Sequence, residues 1–253
     1  MILTDPLISD DYGGWWQRTL ALIARAWPQL LTLQAIGTAV SLTCESATAR
    51  LDSPLWATPL AVVVDALVYT VITLAVVRLV VFTAAERPPA LGDCVRGAAP
   101  AALPLIWRML MFVLIVVAGG LLLVLPGVFA LLVLTLLAPV VAVERGAGIL
   151  RCLHLFGATW RAALPRSGTI LLIIGGVPAV VEWLTPAGTG AAADVRETVL
   201  AALTSAIVGL ITGPLAVTAY ADLRAREERE MRAYGRPAAP VSAVSIAGQL
   251  RQR

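Results

Sequence analysis

Apolar residues run along this chain in blocks longer than a soluble helix requires. The blocks lie near residues 28–46, 56–83, 102–124, 127–143, 167–185 and 196–222. Each approaches or exceeds the roughly 20 residues that carry a helix across bilayer hydrocarbon, so the pattern predicts six transmembrane helices. The fourth block is the shortest. Pro126-Gly127 separates it from the third, and a Pro-Gly step predicts a tight turn that folds the two into a hairpin.

Shorter segments with a different period precede the first, third and fifth blocks. Trp16, Leu20, Ile23 and Trp27 recur at helical spacing opposite Arg18 and Arg25, and Leu150, Leu153, Phe156 and Trp160 recur opposite Arg151, His154, Ala158 and Arg161. The middle copy, around residues 91–99, is shorter and less amphipathic. Each ends in a similar string: RAWP at Arg25–Pro28, RGAAP at Arg96–Pro100 and RAALP at Arg161–Pro165. Amphipathic helices of this kind lie in the membrane interface, with rings at the acyl boundary and arginines among headgroups. Proline suits the first turn of a new helix, so each proline predicts a turn from an interfacial helix into a span. The expected architecture is an all-α integral membrane protein of three transmembrane hairpins, each preceded by an amphipathic interfacial helix.

Composition agrees. The chain of 253 residues is 59% hydrophobic and 14% charged, with a mean hydropathy of +0.86, whereas a soluble domain carries about a quarter charged residues. All 19 basic residues are arginine, and with the excess of alanine this suggests a high-GC genome such as an actinobacterium. All but two of them, Arg50 and Arg196, fall on one side of the predicted spans. Positive charge is retained on the cytoplasmic side, so both termini are expected there, in a bacterial cytoplasmic membrane. Asp5, Asp10 and Asp11 precede any basic residue, the reverse of a signal peptide. The chain divides into an N-terminal cytoplasmic segment (1–14), a six-span membrane domain (15–226) and a charged tail (227–253). That tail begins as a solvated helix, with an i, i+4 pair at Glu228 and Arg232, and its small-residue end beyond Pro237 reads as disordered.

The run from Pro126 to Ile173 has a Pro-Gly turn, an Ala138-Pro139 step ending in Glu144, an amphipathic segment with Arg151 and Trp160, and a further span. The closing span ends in Tyr220, Asp222, Arg224 and Arg226. In this order of features the chain resembles the actinobacterial six-span glycerophosphoryl diester phosphodiesterase membrane-domain family, over most of its length. The resemblance implies a six-span membrane module with cytoplasmic termini. The enzymatic name belongs to fusions with a catalytic barrel. Only about 30 residues follow the last predicted span, against about 250 for a TIM barrel, so phosphodiesterase activity is not expected of this chain.

No GxSxG, HExxH, Walker A or dinucleotide fingerprint occurs, and no cofactor or metal is expected. Cys44, Cys94 and Cys152 lack ligand spacing and read as apolar fillers. His154, the single histidine, titrates near neutrality and could serve as a base, but it shares a stripe with Arg151 and Arg161 and reads as headgroup-facing. Asp65 lies about 13 Å inside the second span at 1.5 Å per residue, where an ionisable group signals function or a structural partner. Arg78 and Arg108 sit at similar depth and either snorkel or form an anion site, while Glu182 and Arg196 suit an interfacial ion pair. Asp65, Arg78, Arg108 and Glu182 are thus the candidate intramembrane polar residues. Arg18, Arg25, Trp27, Arg96, Arg151, His154, Trp160 and Arg161 are the candidate lipid contacts. Ala201, Ser205, Gly209 and Gly213 place a small residue at every fourth position of the last span, a helix-packing stripe.

Two functions lead on this reading, ahead of an intramembrane enzyme, for which no constellation of acid, base and nucleophile is visible. One is a non-enzymatic module that organises membrane lipids, through anionic headgroups, or a partner membrane protein or second copy. The other is a transporter with Asp65 in a central polar site. Nucleic acid is not an expected partner, since topology accounts for the net charge of +3.

Overall fold

A computed structural model of the protein describes residues 5–9, 11–48, 54–87, 89–122, 124–144, 148–185, 191–235 and 241–251. Its described elements are all helices: α1 (Tyr12–Thr48), α2 (Pro54–Ala84), α3 (Leu91–Leu122), α4 (Val124–Leu134), α5 (Leu137–Val143), α6 (Ile149–Ala158), α7 (Trp160–Leu184), α8 (Ala191–Ala233) and α9 (Ala243–Arg251). Among the described residues, three helical stretches are long and apolar enough to cross a membrane: Val62–Ala84, Trp160–Leu184 and Arg196–Ala233. A fourth span is possible if α4 and α5, bent by 42°, count as one. Of the remaining two apolar blocks, 28–46 lies within α1 and residues 102–122 of the other lie within α3. Arg50 and Pro237 lie outside the described residues.

The second half of α2 is the centre of the molecule. Leu74 to Val77 and Leu79 to Val81 are each at most 1% exposed, as expected of a helix apolar on all sides. Helices α1, α3, α5, α8 and α9 pack around it.

The prolines do not act as the sequence suggests. Pro28 and Pro100 lie inside α1 and α3, which continue through them. In α1, Trp15, Thr19, Leu22, Ala26, Leu30 and Leu33 form one buried stripe that crosses Pro28. In α3, Cys94, Ala98, Ala102 and Leu105 do the same across Pro100. Both prolines face outward. A proline inside a helix costs about 3 kcal/mol, which in α1 is offset by burial of Trp15, Leu22, Leu30 and Leu33, each worth about 1.5–3 kcal/mol. Only the third copy has a separate amphipathic helix, α6, and its break falls at Thr159, six residues before Pro165.

Two turns are also displaced. Pro126-Gly127 lies in the first turns of α4, not in a loop. The fourth apolar block instead breaks at Thr135-Leu136, between α4 and α5. The cause lies four residues on, because the Pro139 ring clashes with the carbonyl of residue 135 and leaves it no N–H to bond. The Thr135 hydroxyl donates to the Leu132 carbonyl at 2.8 Å and to Ser167 Oγ at 3.0 Å, tying the bend to α7.

The tail is docked rather than solvated. Helix α8 spans 43 residues, about 65 Å at 1.5 Å per residue, and Leu223, Ala225, Glu227 and Glu228 beyond the expected span are buried. The reading of disorder after Pro237 is overturned by α9. Its Ala243, Ile246, Ala247 and Leu250 are buried at the i, i+3, i+4, i+7 spacing of an amphipathic helix. Ser242 and Ser245 cap its start reciprocally, each hydroxyl accepting the other's backbone N–H at 3.1 and 2.9 Å, a serine version of the capping box. Residues 5–9 join the same surface, since Leu7 is buried and Asp5 Oδ2 accepts the Ala243 N–H at 2.8 Å.

Candidate functional site

Two adjoining clusters of charge lie where α6, α7 and the second half of α8 meet. In the first, Arg166 projects from α7 just before its apolar run and Asp222 from the last position of the apolar run in α8. Arg166 Nη2 lies 2.6 Å from Asp222 Oδ2, with the side chains 3% and 0% exposed. Arg226, one turn further along α8, reaches the same oxygen at 3.2 Å. Arg166 also donates to the carbonyls of Ala162 at 2.9 Å and Asp11 at 3.4 Å, and its guanidinium stands 5.7 Å from the ring centre of buried Trp15. Arginine's planar fork allows one residue to make all these bonds. The start of α1, the start of α7 and the second half of α8 are thereby joined at one point.

The second cluster centres on Arg151 of α6. Its two terminal nitrogens bond both oxygens of Glu227 at 2.6 and 2.7 Å, and its Nε donates to Glu144 at 2.7 Å. The hydrogen-bonded Glu227 carboxylate raises the Arg151 guanidinium above its ordinary range despite burial. Tyr220 donates to Glu144 at 2.8 Å, and Arg224 bonds the Tyr220 hydroxyl at 3.1 Å and Gln249 of α9 at 3.0 Å. Thus Glu144, Arg151, Tyr220, Asp222, Arg224 and Arg226, scattered over more than 80 residues, converge. Bidentate pairs of this kind fix geometry as well as charge. Both carboxylates of this second cluster are held by guanidinium groups, which suits a rigid cap on the bundle.

Arg151 therefore turns inward instead of toward headgroups. The buried face of α6 is Cys152, Leu155 and Phe156, and the ion pair lies beside it. The outer face carries Leu150, 82% exposed, with Leu153 and His154. His154 reaches Glu227 at 3.1 Å from the exposed rim of the network. Trp160 and Arg161 are also exposed, with the guanidinium 5.6 Å from the ring centre. On α1, Trp27 and Arg25 face outward, and Arg18 donates to the Asp5 carbonyl at 2.7 Å. Arg96 is exposed beside Asp93 at 3.3 Å.

The four candidate intramembrane polar residues form no common site. Asp65 accepts a hydrogen bond from Ser41 of α1 on an exposed face. Arg78 donates to the Leu250 carbonyl of α9 at 3.2 Å. Arg108 lies beside Gly148 at the start of α6. Glu182 is exposed near the end of α7 and Arg196 is exposed in α8. Among the described residues no three His, Cys, Asp or Glu side chains could share a metal ion. The small-residue stripe divides in two. Gly209 packs on Gln34 of α1 and Gly213 on Val76 of α2, whereas Ala201 and Ser205 are exposed.

Arg166 and Glu144 went unmarked as site residues in the sequence because many arginines and glutamates flank spans. The available signal was complementarity: Arg166 immediately precedes one apolar run and Asp222 closes another. In comparisons with known proteins, no family model matches the chain, nor does any curated protein or solved structure.

Proposed function

We propose that this chain is a non-enzymatic, multi-pass module of a bacterial cytoplasmic membrane, which organises anionic lipids or a partner membrane protein. In this reading it has six spans in three hairpins, with both termini cytoplasmic. The arginine bias supports the orientation, and the resemblance to the membrane-domain family fits the architecture. The observation that carries the functional reading is the junction of α6 and α7. There a rigid ion-paired cap presents Leu150, Leu153, Trp160 and Arg161 outward, apolar and aromatic groups beside a cation, as an interfacial anchor requires. A transporter built on Asp65 draws no such support, because that carboxylate sits on an exposed face with Ser41 as its partner.

Native mass spectrometry of the protein, extracted with its surrounding bilayer, tests the proposal. Anionic lipid or a stoichiometric partner should be retained by the native chain and reduced in Trp160→Ala/Arg161→Gln. Equal retention by that variant would refute it.

A further inference from the structure

The arginines inside the charge clusters are matched to carboxylates. Three others, Arg78, Arg87 and Arg251, have no carboxylate partner among the described residues, and they line one pocket of about 370 Å³ together with Phe82, Asp93 and Cys94. Each is placed there by a different element. Arg78 comes from the buried face of α2. Arg87 follows the end of that helix, where Glu86 takes a positive φ of 56° and the Arg87 N–H returns to the Phe82 carbonyl at 2.9 Å. That return bond is the mark of a Schellman ending, and it folds Arg87 back toward Phe82. Arg251 is delivered by α9, whose apolar face docks on α2.

The electrostatics of this pocket are unbalanced. The guanidiniums of Arg78 and Arg251 stand 5.7 and 5.8 Å from the centre of the same Phe82 ring. Among the described residues of the lining the one acid is Asp93, which is largely exposed and lies 3.3 Å from Arg96, a residue that does not line the pocket. Arg78 Nη1 is used on the Leu250 carbonyl, while Arg78 Nε is buried without a hydrogen-bond acceptor. Gly97 of α3 leaves room for this arrangement, since a Cβ there would fall 2.5 Å from Arg78 Cζ. Like charges gathered with an orphaned donor are costly unless an anion joins them.

We propose that Arg78, Arg87 and Arg251 form a binding site for a phosphate group, carried either by a lipid headgroup or by a soluble phosphate. Phosphate supplies several acceptor oxygens to guanidinium forks, and the pocket volume falls within the roughly 300–1,000 Å³ of small-ligand sites. The site is separate from the α6–α7 surface and stands or falls independently of the function proposed above.

Arg87 and Arg251 are exposed, so Arg87→Gln/Arg251→Gln removes two of the three charges without opening the core. Arg78 is left intact because it also caps α9. The full chain is placed in phosphatidylcholine nanodiscs and titrated with inorganic phosphate. In a parallel arm it is placed in mixed phosphatidylcholine and phosphatidylglycerol nanodiscs, and retained lipid is counted by native mass spectrometry. Saturable phosphate binding, weakened about tenfold or more by the double variant, identifies a soluble phosphate. Loss of one retained phosphatidylglycerol per chain, without saturable phosphate binding, identifies a lipid headgroup. In either case Arg87→Lys/Arg251→Lys should bind better than the glutamine variant, and Trp160→Ala/Arg161→Gln should leave inorganic phosphate binding unchanged. If the native chain binds neither probe, or the glutamine variant binds both as the native chain does, the proposal is overturned.

Discussion

Arg166 Nη2 lies 2.6 Å from Asp222 Oδ2, and the two side chains are 3% and 0% exposed. Removing one partner of such a pair strands a charge without water, which costs about 3–5 kcal/mol, whereas apolar replacement of both can be near neutral. Arg166→Met should therefore lower the thermal unfolding midpoint strongly. Arg166→Met/Asp222→Leu should recover part of the loss, limited by Arg226, which also bonds Asp222. A double variant no more stable than Arg166→Met would show that the pair is not the source of the effect.

Arg151 and His154 lie one turn apart and should respond differently. Arg151 binds both oxygens of Glu227 with a side chain only 25% exposed, while the His154 side chain is 69% exposed. Arg151→Gln is expected to destabilise by about 3 kcal/mol, and His154→Gln by less than about 1 kcal/mol. Denaturant titration of both variants checks the contrast.

The glycines of α8 give a steric prediction. A Cβ on Gly213 would fall 2.5 Å from Val76 Cγ1, and one on Gly209 would fall 2.5 Å from Gln34 Nε2. The valine methyl is held by a short branched side chain on a packed helix, whereas the glutamine amide ends a flexible one. Gly213→Ala should cost about 1–3 kcal/mol through overpacking, and Gly209→Ala much less. Thermal midpoints of the two variants will show whether the order holds.

Two of the three cysteines should be silent to thiol reagents in the folded protein. Burial pushes the Cys94 thiol up to about 11 and the Cys152 thiol up to about 12, from an ordinary value of 9.0. At neutral pH both should label only on unfolding. Above pH 9.0 the unfolded chain ionises first, so stability should fall as pH rises toward 11–12. Chemical denaturation across that range, compared with Cys94→Ala/Cys152→Ala, isolates the contribution.

For the same reason the native cysteines at 94 and 152 cannot report which face of the membrane they occupy. Cysteines introduced at exposed Arg96 and Glu182 can. With both termini cytoplasmic, an impermeant reagent applied to intact cells should label position 182 and spare position 96. The reverse pattern would invert the proposed topology.

The all-helical, apolar character of the chain was legible in the sequence, because a segment that must hide its backbone in hydrocarbon has to be apolar and helical, but the helix lengths were not, since α1, α3 and α8 run well beyond their apolar blocks. The continuation of the last span into the charged tail was legible for a similar reason, as charges spaced at i, i+4 support a helix. Element breaks were less so. Pro28 and Pro100 carry the same local signal as Pro139, yet of the three only Pro139 follows a helix break. What separates them is the continuous buried stripe across the first two, visible once α1 and α3 have packed on α2. Helix α9 could have been found from the Ser242 and Ser245 capping pair and the apolar spacing that follows, signals hidden by a composition typical of disorder.

Which arginine faces which way was beyond the sequence. Arg151 and His154 occupy one stripe of α6, but rotation of that helix against α8 sends the first into a carboxylate pair and leaves the second at the rim. Residues 144, 151, 166, 222 and 227, like 78, 87 and 251, lie on separate elements, and a linear pattern contains no distance between them. Sequence alone determined what could enter a membrane, since hydropathy is a local property of each segment. The tertiary structure decided which charges meet and which are left uncompensated, because that depends on the azimuth and depth at which each helix docks.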